Sequence, residues 1–431
     1  MIDIDLAEPL PQLAPVSSAD HSATADVRLL LRLHTHPVGQ LRIQVGPDGM
    51  NAGELAVAIW RVTGPQVRAH LAGDGLAVPD QLDPGGLGDQ LGDQREPWCL
   101  RRRRALLEDA PSVTVLIATR DRTDSLMRCL RSVARLAYPR YDVLVVDSAP
   151  ATDQTARVIE ALGGRLGSSQ IRCLREERPG LGLAHNRGLR EATGSWVAIT
   201  DDDVVVDPHW LSGIVEGASL GPRVACVTGL ILPAEIVTPA QELVEQYGGF
   251  SRGFRPRRYS LADRPPDPLF PFTTGRLGSG ANMAFDTGFL RGRGGFDPAT
   301  GAGTPARGGD DLLAFLRVLT AGAELVYQPS ALLWHWHRRD YAGLRRQAHG
   351  YGVGLGAYLA SAVVHEPALL SRMVRSVIPG ARHYLSRSSS KNTAKRPGFP
   401  RALEVTELLG ALQGPFAYAV SRWRYRAAAM R

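Results

Sequence analysis

The stretch Val197-Ala198-Ile199-Thr200-Asp201-Asp202-Asp203 limits the possible folds of this chain more than any other. Its apolar, β-branched half reads as a buried parallel strand. That strand ends in three consecutive carboxylates, which repel one another and need a compensating cation. Hard oxygen donors at a strand's C-terminal end suit Mg²⁺ or Mn²⁺. A solvated acidic turn is the alternative for the three acids taken alone.

The preceding sequence favours the buried strand. Val113 to Ala118 reads as a strand, followed by a helix with Leu126, Leu130, Val133 and Leu136 on one face. Val143 to Asp147 is a second strand, with a helix around Thr155 to Leu162 after it. Ile171 to Leu174 is a short third strand, Leu183 to Thr193 another helix, and Trp196 to Thr200 the fourth strand. Strands alternating with helices at this spacing predict βαβ units and a parallel sheet. Ligands of such sheets bind beyond the carboxyl ends of the strands. Three of these ends carry polar clusters: Thr119 to Arg122, Asp147-Ser148 and Asp201 to Asp203. One crevice can collect all three.

The flanks differ in texture. Residues 1 to about 25 read as polar and loose. Val27 to Val45 alternates as a β-hairpin would, broken at His36-Pro37 and Val38-Gly39. A helical pattern follows from Asn51 to Val62. This α+β module shows no constellation with an evident chemistry. Pro79 to Pro97 reads as a linker, and Arg101 to Arg104 as a solvated helix face. With no aromatic platform nearby, nucleic acid is not an expected partner. Domain boundaries are expected at 1–109, 110–340 and 341–431.

Beyond Arg338 the pattern is helical: Tyr341 to Val364, an amphipathic Leu369 to Leu385, a polar linker Arg387 to Pro400, and Leu403 to Trp423. The formal net charge is +7, and from Ser371 onward twelve Lys or Arg face only Glu404 and Glu407. Such a tail suits an anionic membrane leaflet. A helical pair packed on the preceding domain explains the same residues. No apolar run approaches the length of a membrane span. Met1 to Pro15 lacks the basic start and apolar run of a signal peptide. Cys99, Cys129, Cys173 and Cys226 form no Cys-x-x-Cys pair and read as reduced thiols. The expected location is cytoplasmic, peripheral at the cytoplasmic face of the membrane.

Ala118-Thr119-Arg120-Asp121-Arg122 resembles the first-strand turn of family 2 glycosyltransferases, and Val145-Val146-Asp147 their second strand end. Pro179-Gly180 through His185-Asn186-Arg187-Gly188, then Ala192-Thr193-Gly194, is similar to their Gly- and Asn-bearing stretch. Thr200 to Asp203, with Pro208 and Leu211, resembles their Asp-x-Asp site. Gly278 to Met283 is similar to their Gly-rich acceptor segment, and Gly309-Asp310-Asp311-Leu312 stands where they carry Gly-Glu-Asp. The ordered set covers about residues 111 to 340.

The resemblance implies an α/β GT-A fold, a Rossmann-like, mostly parallel sheet flanked by helices. It also implies transfer of sugar from a nucleoside diphosphate, with inversion, to an acceptor hydroxyl. Asp203 is then the direct metal ligand, with Asp201 and His335 near it; His337 lies on the same side of an extended segment. Thr119, Arg120, Asp121, Asp147, Asn186, Asp201, Asp202 and Asn282 are implied around the donor. Asp311 is implied as the base that takes the acceptor's proton, with Asp310 holding an acceptor hydroxyl or capping a helix. The Gly- and Pro-rich loop Gly292 to Pro305 is expected to close over the donor. Arg120, His185 and Asp310 depart from the family pattern and leave the nucleotide and the base open. A saccharide or lipid-linked acceptor of the cell envelope is the expected partner. A non-catalytic sugar-nucleotide-binding module is the alternative. A nucleotidyltransferase would want a glycine in the turn after the first strand, where Thr119 to Arg122 has none.

Overall fold

The structure, a computed structural model, describes residues 1–15, 24–88, 96–247, 249–386, 395 and 398–430. They fall into two units: Met1–Asp109 with Gly253–Arg255, and Ala110–Arg252 with Pro256–Arg431.

In the first unit, β1 (Ile2–Asp5) runs parallel to β2 (Ala25–Leu33), and β3 (His36–Val45) returns antiparallel to β2. The start of the chain is therefore not loose. Ile4, Leu6, Leu10 and Leu13 are buried with Leu29, Leu31 and Leu33, and each such side chain contributes roughly 1.5–3 kcal/mol. Residues 16–23 lie outside the described residues. The hairpin turns at His34-Thr35, ahead of the expected break. Pro37 instead marks a shift in register, where its missing N–H costs least.

The helix Ala52–Asp74 starts on a capping box between Asn51 and Glu54 and runs a further twelve residues past Val62, through Pro65. Most of the expected linker from Pro79 is described, but 89–95 are not. Arg101 to Arg104 lie in the helix Trp98–Glu108. They are not a uniformly solvated face, because Arg103 is buried and bonds Thr35 and His36.

In the second unit the strands are β4 (Val113–Thr119), β5 (Tyr141–Ser148), β6 (Arg165–Leu166), β7 (Ser169–Glu176), β8 (Trp196–Asp201), β9 (Val204–Val206), β10 (Val224–Pro233), β11 (Arg257–Tyr259), β12 (Asn282–Asp286) and β13 (Glu324–His335). They form one sheet among the described residues, in the order β11-β13-β10-β12-β8-β4-β5-β7-β6, with β9 paired to β13. β8, β4, β5 and β7 are parallel neighbours, and β12 is antiparallel to both β8 and β10. Val197, Ala198, Ile199 and Thr200 are fully buried, as a central parallel strand requires. Register sets Ala118 beside Asp201 and Thr119 beside Asp147. The three polar strand ends therefore lie side by side.

Two long helices, Tyr341–His365 and Arg401–Ala429, pack against each other. Gly352 and Gly356 permit the contact: a Cβ at either would meet the carbonyl oxygen of Glu407 or Ala411 at 1.9 and 2.2 Å. Leu369 to Leu385 is not one helix but short pieces, Pro367–Leu369, Leu370–Arg375 and Val377–Leu385. The expected linker after it lies largely outside the described residues. Leu409, Leu412, Phe416 and Trp423 are exposed along Arg401–Ala429. Among the described residues no single helix is long and apolar enough to cross a membrane. Tyr341–His365 and Pro367–Arg375 reach that length and composition only as a pair bent by 116°.

The loop Gly292 to Pro305 is pinned, against the expectation of a lid. Asn186 clasps both backbone groups of Phe296, and Arg317 binds the Gly295 carbonyl. The buried Asp297 carboxylate accepts hydrogen bonds from Ser361, His365 and Tyr418.

Candidate active site

The carboxylate cluster is held by two strand pairings. β8 delivers Asp201, a tight turn carries Asp202 and Asp203, and β9 then pairs with the end of β13. Val204 stands opposite His335, and the Trp336 N–H donates to the Asp203 carbonyl at 3.1 Å. The His335 Nε2 consequently lies 3.4 Å from Asp203 Oδ1. Ligand atoms of Asp201, Asp203 and His335 all fall within 4.8 Å of one another.

Arg122 was not singled out from the sequence, yet it bridges the cluster. Its guanidinium reaches Asp202 Oδ1 at 2.8 Å and Asp203 Oδ2 at 2.6 Å. Thr119 donates to Asp202 Oδ2 at 2.6 Å. Burial would raise the Asp203 carboxyl, but His335 and Arg122 outweigh it and hold it well below the usual carboxylate range. Asp203 in turn raises His335 against the effect of burial. Burial, then the charges of Asp203 and Asp202, push Asp201 up to about 7. An added cation would keep Asp201 ionised at neutral pH. Two carboxylates and an imidazole, with room for ligand oxygens, fit Mn²⁺ or Mg²⁺.

The acid pair opens the helix Asp310–Thr320. Asp311 accepts the N–H of Gly280 on Oδ2 and of Leu312 on Oδ1, each at 2.8 Å. Burial and the adjacent charge of Asp310 push Asp311 up to about 6. Asp310 faces the buried His185, with Oδ2 3.6 Å from Nδ1. Neither ring nitrogen of His185 has a hydrogen-bond partner, so this histidine is set beside the acids without being consumed by the fold.

A cavity of about 1370 Å³ joins these groups. Its wall includes Thr119, Arg120, Asp201 to Asp203, Asp310, Asp311 and His335. Tyr351 and Gln347, from the helix Tyr341–His365, also line it, and no sequence motif marked them.

Several expected residues do not reach it. Asn282 is buried; it donates to the carbonyls of Leu230 and Ala331 and accepts from Trp210 Nε1, which uses its amide inside the sheet. Asn186 is committed to Phe296. Asp121, at a positive φ of 51°, turns outward to the Ala151 N–H. Asp147 is buried, and burial raises its carboxyl despite a hydrogen bond from Thr155. His337 is turned to Glu245 at 3.1 Å, so only His335 of the two faces the cluster.

Residues 114–274 match the model of glycosyl transferase family 2. The chain carries a family 2 glycosyltransferase domain. The pre-mycofactocin glycosyltransferase of Mycobacterium tuberculosis is 28% identical over 227 residues, 52% of this chain and 43% of that protein. Succinoglycan biosynthesis protein ExoO of Rhizobium meliloti is 29% identical over 121 residues, 28% of this chain and 33% of that protein. The chain thus spans less than half the length of these curated relatives. A mannosyltransferase from Pyrobaculum calidifontis, solved with GDP-Man and Mn²⁺, superposes with a TM-score of 0.42 and 21% identity, covering 77% of this chain and 81% of that one.

Proposed function

We propose that this glycosyltransferase moves a sugar from a nucleoside diphosphate to an acceptor hydroxyl with inversion, dependent on a divalent ion. The observation that carries the proposal is one cavity lined both by a carboxylate–histidine cluster and by Asp311, a half-buried acid with a raised pKa. Asp201, Asp203 and His335 would hold the ion, which supplies Lewis-acid stabilisation of charge on the departing diphosphate.

The chain's own groups do the rest. Arg122 and Arg120 bring positive charge to the phosphate end of the cavity. Asp311 takes the proton of the acceptor hydroxyl; a carboxyl near pKa 6 is ionised at neutral pH and still basic enough to accept it. Asp310, on the cavity wall, holds the acceptor beside it, and the buried His185 stands behind Asp310 at 3.6 Å. The walls given by Tyr351 and Gln347 keep water from the activated sugar. A polysaccharide or cell-envelope intermediate is the proposed acceptor, supported by the name of ExoO and by the basic tail.

A screen of nucleotide sugars by thermal shift, with and without Mn²⁺, identifies the donor. Product analysis by NMR then gives the anomeric outcome. Retention of configuration would remove the mechanism. Metal-dependent binding with no turnover on any acceptor would favour the non-catalytic module.

A further inference from the structure

Three elements of the first unit converge on one carboxylate. His34 occupies the tip of the hairpin between β2 and β3. His70 and Asp74 lie four residues apart on one face of the helix Ala52–Asp74. Cys99 stands in the first turn of the helix Trp98–Glu108. Asp74 Oδ2 is 2.8 Å from His34 Nδ1, 3.2 Å from His70 Nε2 and 2.9 Å from Cys99 Sγ. The sulfur is itself 3.5 Å from His34 Nδ1 and 3.6 Å from His70 Nε2. All four ligand atoms lie within 4.8 Å of one another.

We propose that His34, His70, Asp74 and Cys99 form a four-coordinate site for Zn²⁺ or a similar borderline divalent cation. Zn–S bonds of about 2.3 Å and Zn–N or Zn–O bonds of about 2.0–2.2 Å make tetrahedron edges of roughly 3.3–3.6 Å. The two sulfur–nitrogen edges already have that length, and the carboxylate edges, now 2.8, 3.2 and 2.9 Å, need to open by about 0.1–0.7 Å. A thiolate and a carboxylate balance the two charges of the ion. With no ion present, burial and the Asp74 carboxylate raise the Cys99 thiol well above its ordinary range, and a bound ion would take the place of its proton.

The surroundings are arranged for it. Asp74 Oδ1 accepts the Cys99 N–H at 2.9 Å, which aims Oδ2 at the centre. His36 is excluded as a ligand, since its ring bonds the His34 carbonyl and Arg103. The hairpin tip is strained: His34 and Thr35 have φ of 53° and 67°, and a β-branched residue rarely adopts such a conformation. Arg32 and Arg103 hold Thr35 in it. A turn held this way persists where its geometry has a use, and here it puts His34 on the cluster. Four protein ligands leave no open position, so the ion is structural. It ties the hairpin tip and the second helix to the end of the first, across the 24 residues between Asp74 and Cys99.

The test uses the whole chain, purified without chelator and dialysed. Elemental analysis should find about one zinc per chain, lost in Cys99→Ser and His70→Gln but kept in Asp203→Ala. After exchange with Co²⁺, a thiolate-to-cobalt charge-transfer band should appear in the wild type and in Asp203→Ala, and be absent from Cys99→Ser. Should those variants fail to fold, the wild type still decides. Stripping zinc should lower Tm and expose Cys99 to iodoacetamide, read by peptide mass spectrometry, and added zinc should reverse both. A metal-free dialysed protein, zinc content unchanged in both site variants, or Cys99 alkylation at one rate with and without zinc would each overturn the proposal.

Discussion

The Tyr418 hydroxyl donates to Asp297 Oδ2 at 2.9 Å, across 121 residues of sequence. Ser361 and His365 bond the same oxygen. Burial opposes ionisation of Asp297, but these bonds hold it well below the usual carboxylate range. The C-terminal helices thereby fix the loop beside the acid pair.

Tyr418→Phe should cost about 1.5–3 kcal/mol, the worth of a hydrogen bond to a charged group, measured by urea unfolding. Because the folded pKa of Asp297 is depressed, its contribution is present above the unfolded value of about 3.9 and is lost as pH falls toward the folded one. The difference between wild type and Tyr418→Phe should therefore shrink in acid. A chain ending at Leu370 loses Tyr418 altogether and should unfold at lower denaturant still.

Asp203→Ala should abolish transfer and the Mn²⁺-dependent part of donor binding while circular dichroism stays unchanged. Near wild-type turnover of that variant in EDTA would show that no metal acts through this cluster.

Asp311→Asn should lower kcat by about 10²- to 10⁴-fold with donor affinity unchanged, as removal of a general base does. Asp310→Asn should mainly raise the acceptor KM. The base must be ionised, so wild-type kcat/KM should fall below a pH of about 6, the value of Asp311, and level off above it. The reverse split between the variants would move the base to Asp310.

The exposed row Leu409, Leu412, Phe416 and Trp423 lies on a helix of a strongly basic tail. The protein should sediment with anionic vesicles and be released by high salt. Leu412→Asp with Phe416→Asp, both on the surface, should lose that binding and keep the fold. Equal binding by wild type and variant would leave the tail a purely structural role.

The sequence made the carboxylate crevice legible because parallel register is simple: strands that end together place their ends together, as Thr119, Asp147 and Asp201 do. Side-chain direction was not legible. Asn282 and Asn186 stand in motif positions, but their partners are carbonyls up to 110 residues away. Gly292 to Pro305 read as a lid because glycine and proline report what a backbone can adopt. They do not report which distant groups bind it, and Asp297 decides the matter here. In the first unit the helical pattern was read only to Val62, so the spacing of His70 and Asp74 on the longer helix went unseen. His34 and Cys99 join them through folding alone.

Gly352 and Gly356 leave the helix Tyr341–His365 resting on the backbone of its partner, with no side chain between to act as a compliant spacer. Rigid surfaces in such contact can neither slide nor tilt by small amounts. Tyr351 and Gln347, carried on the same helix, are therefore set at a fixed height in the wall of the cavity that Asp203 and Asp311 also line. A larger residue at either glycine would lift that wall as one body, changing the shape of the cavity before it disturbed Asp203 or Asp311.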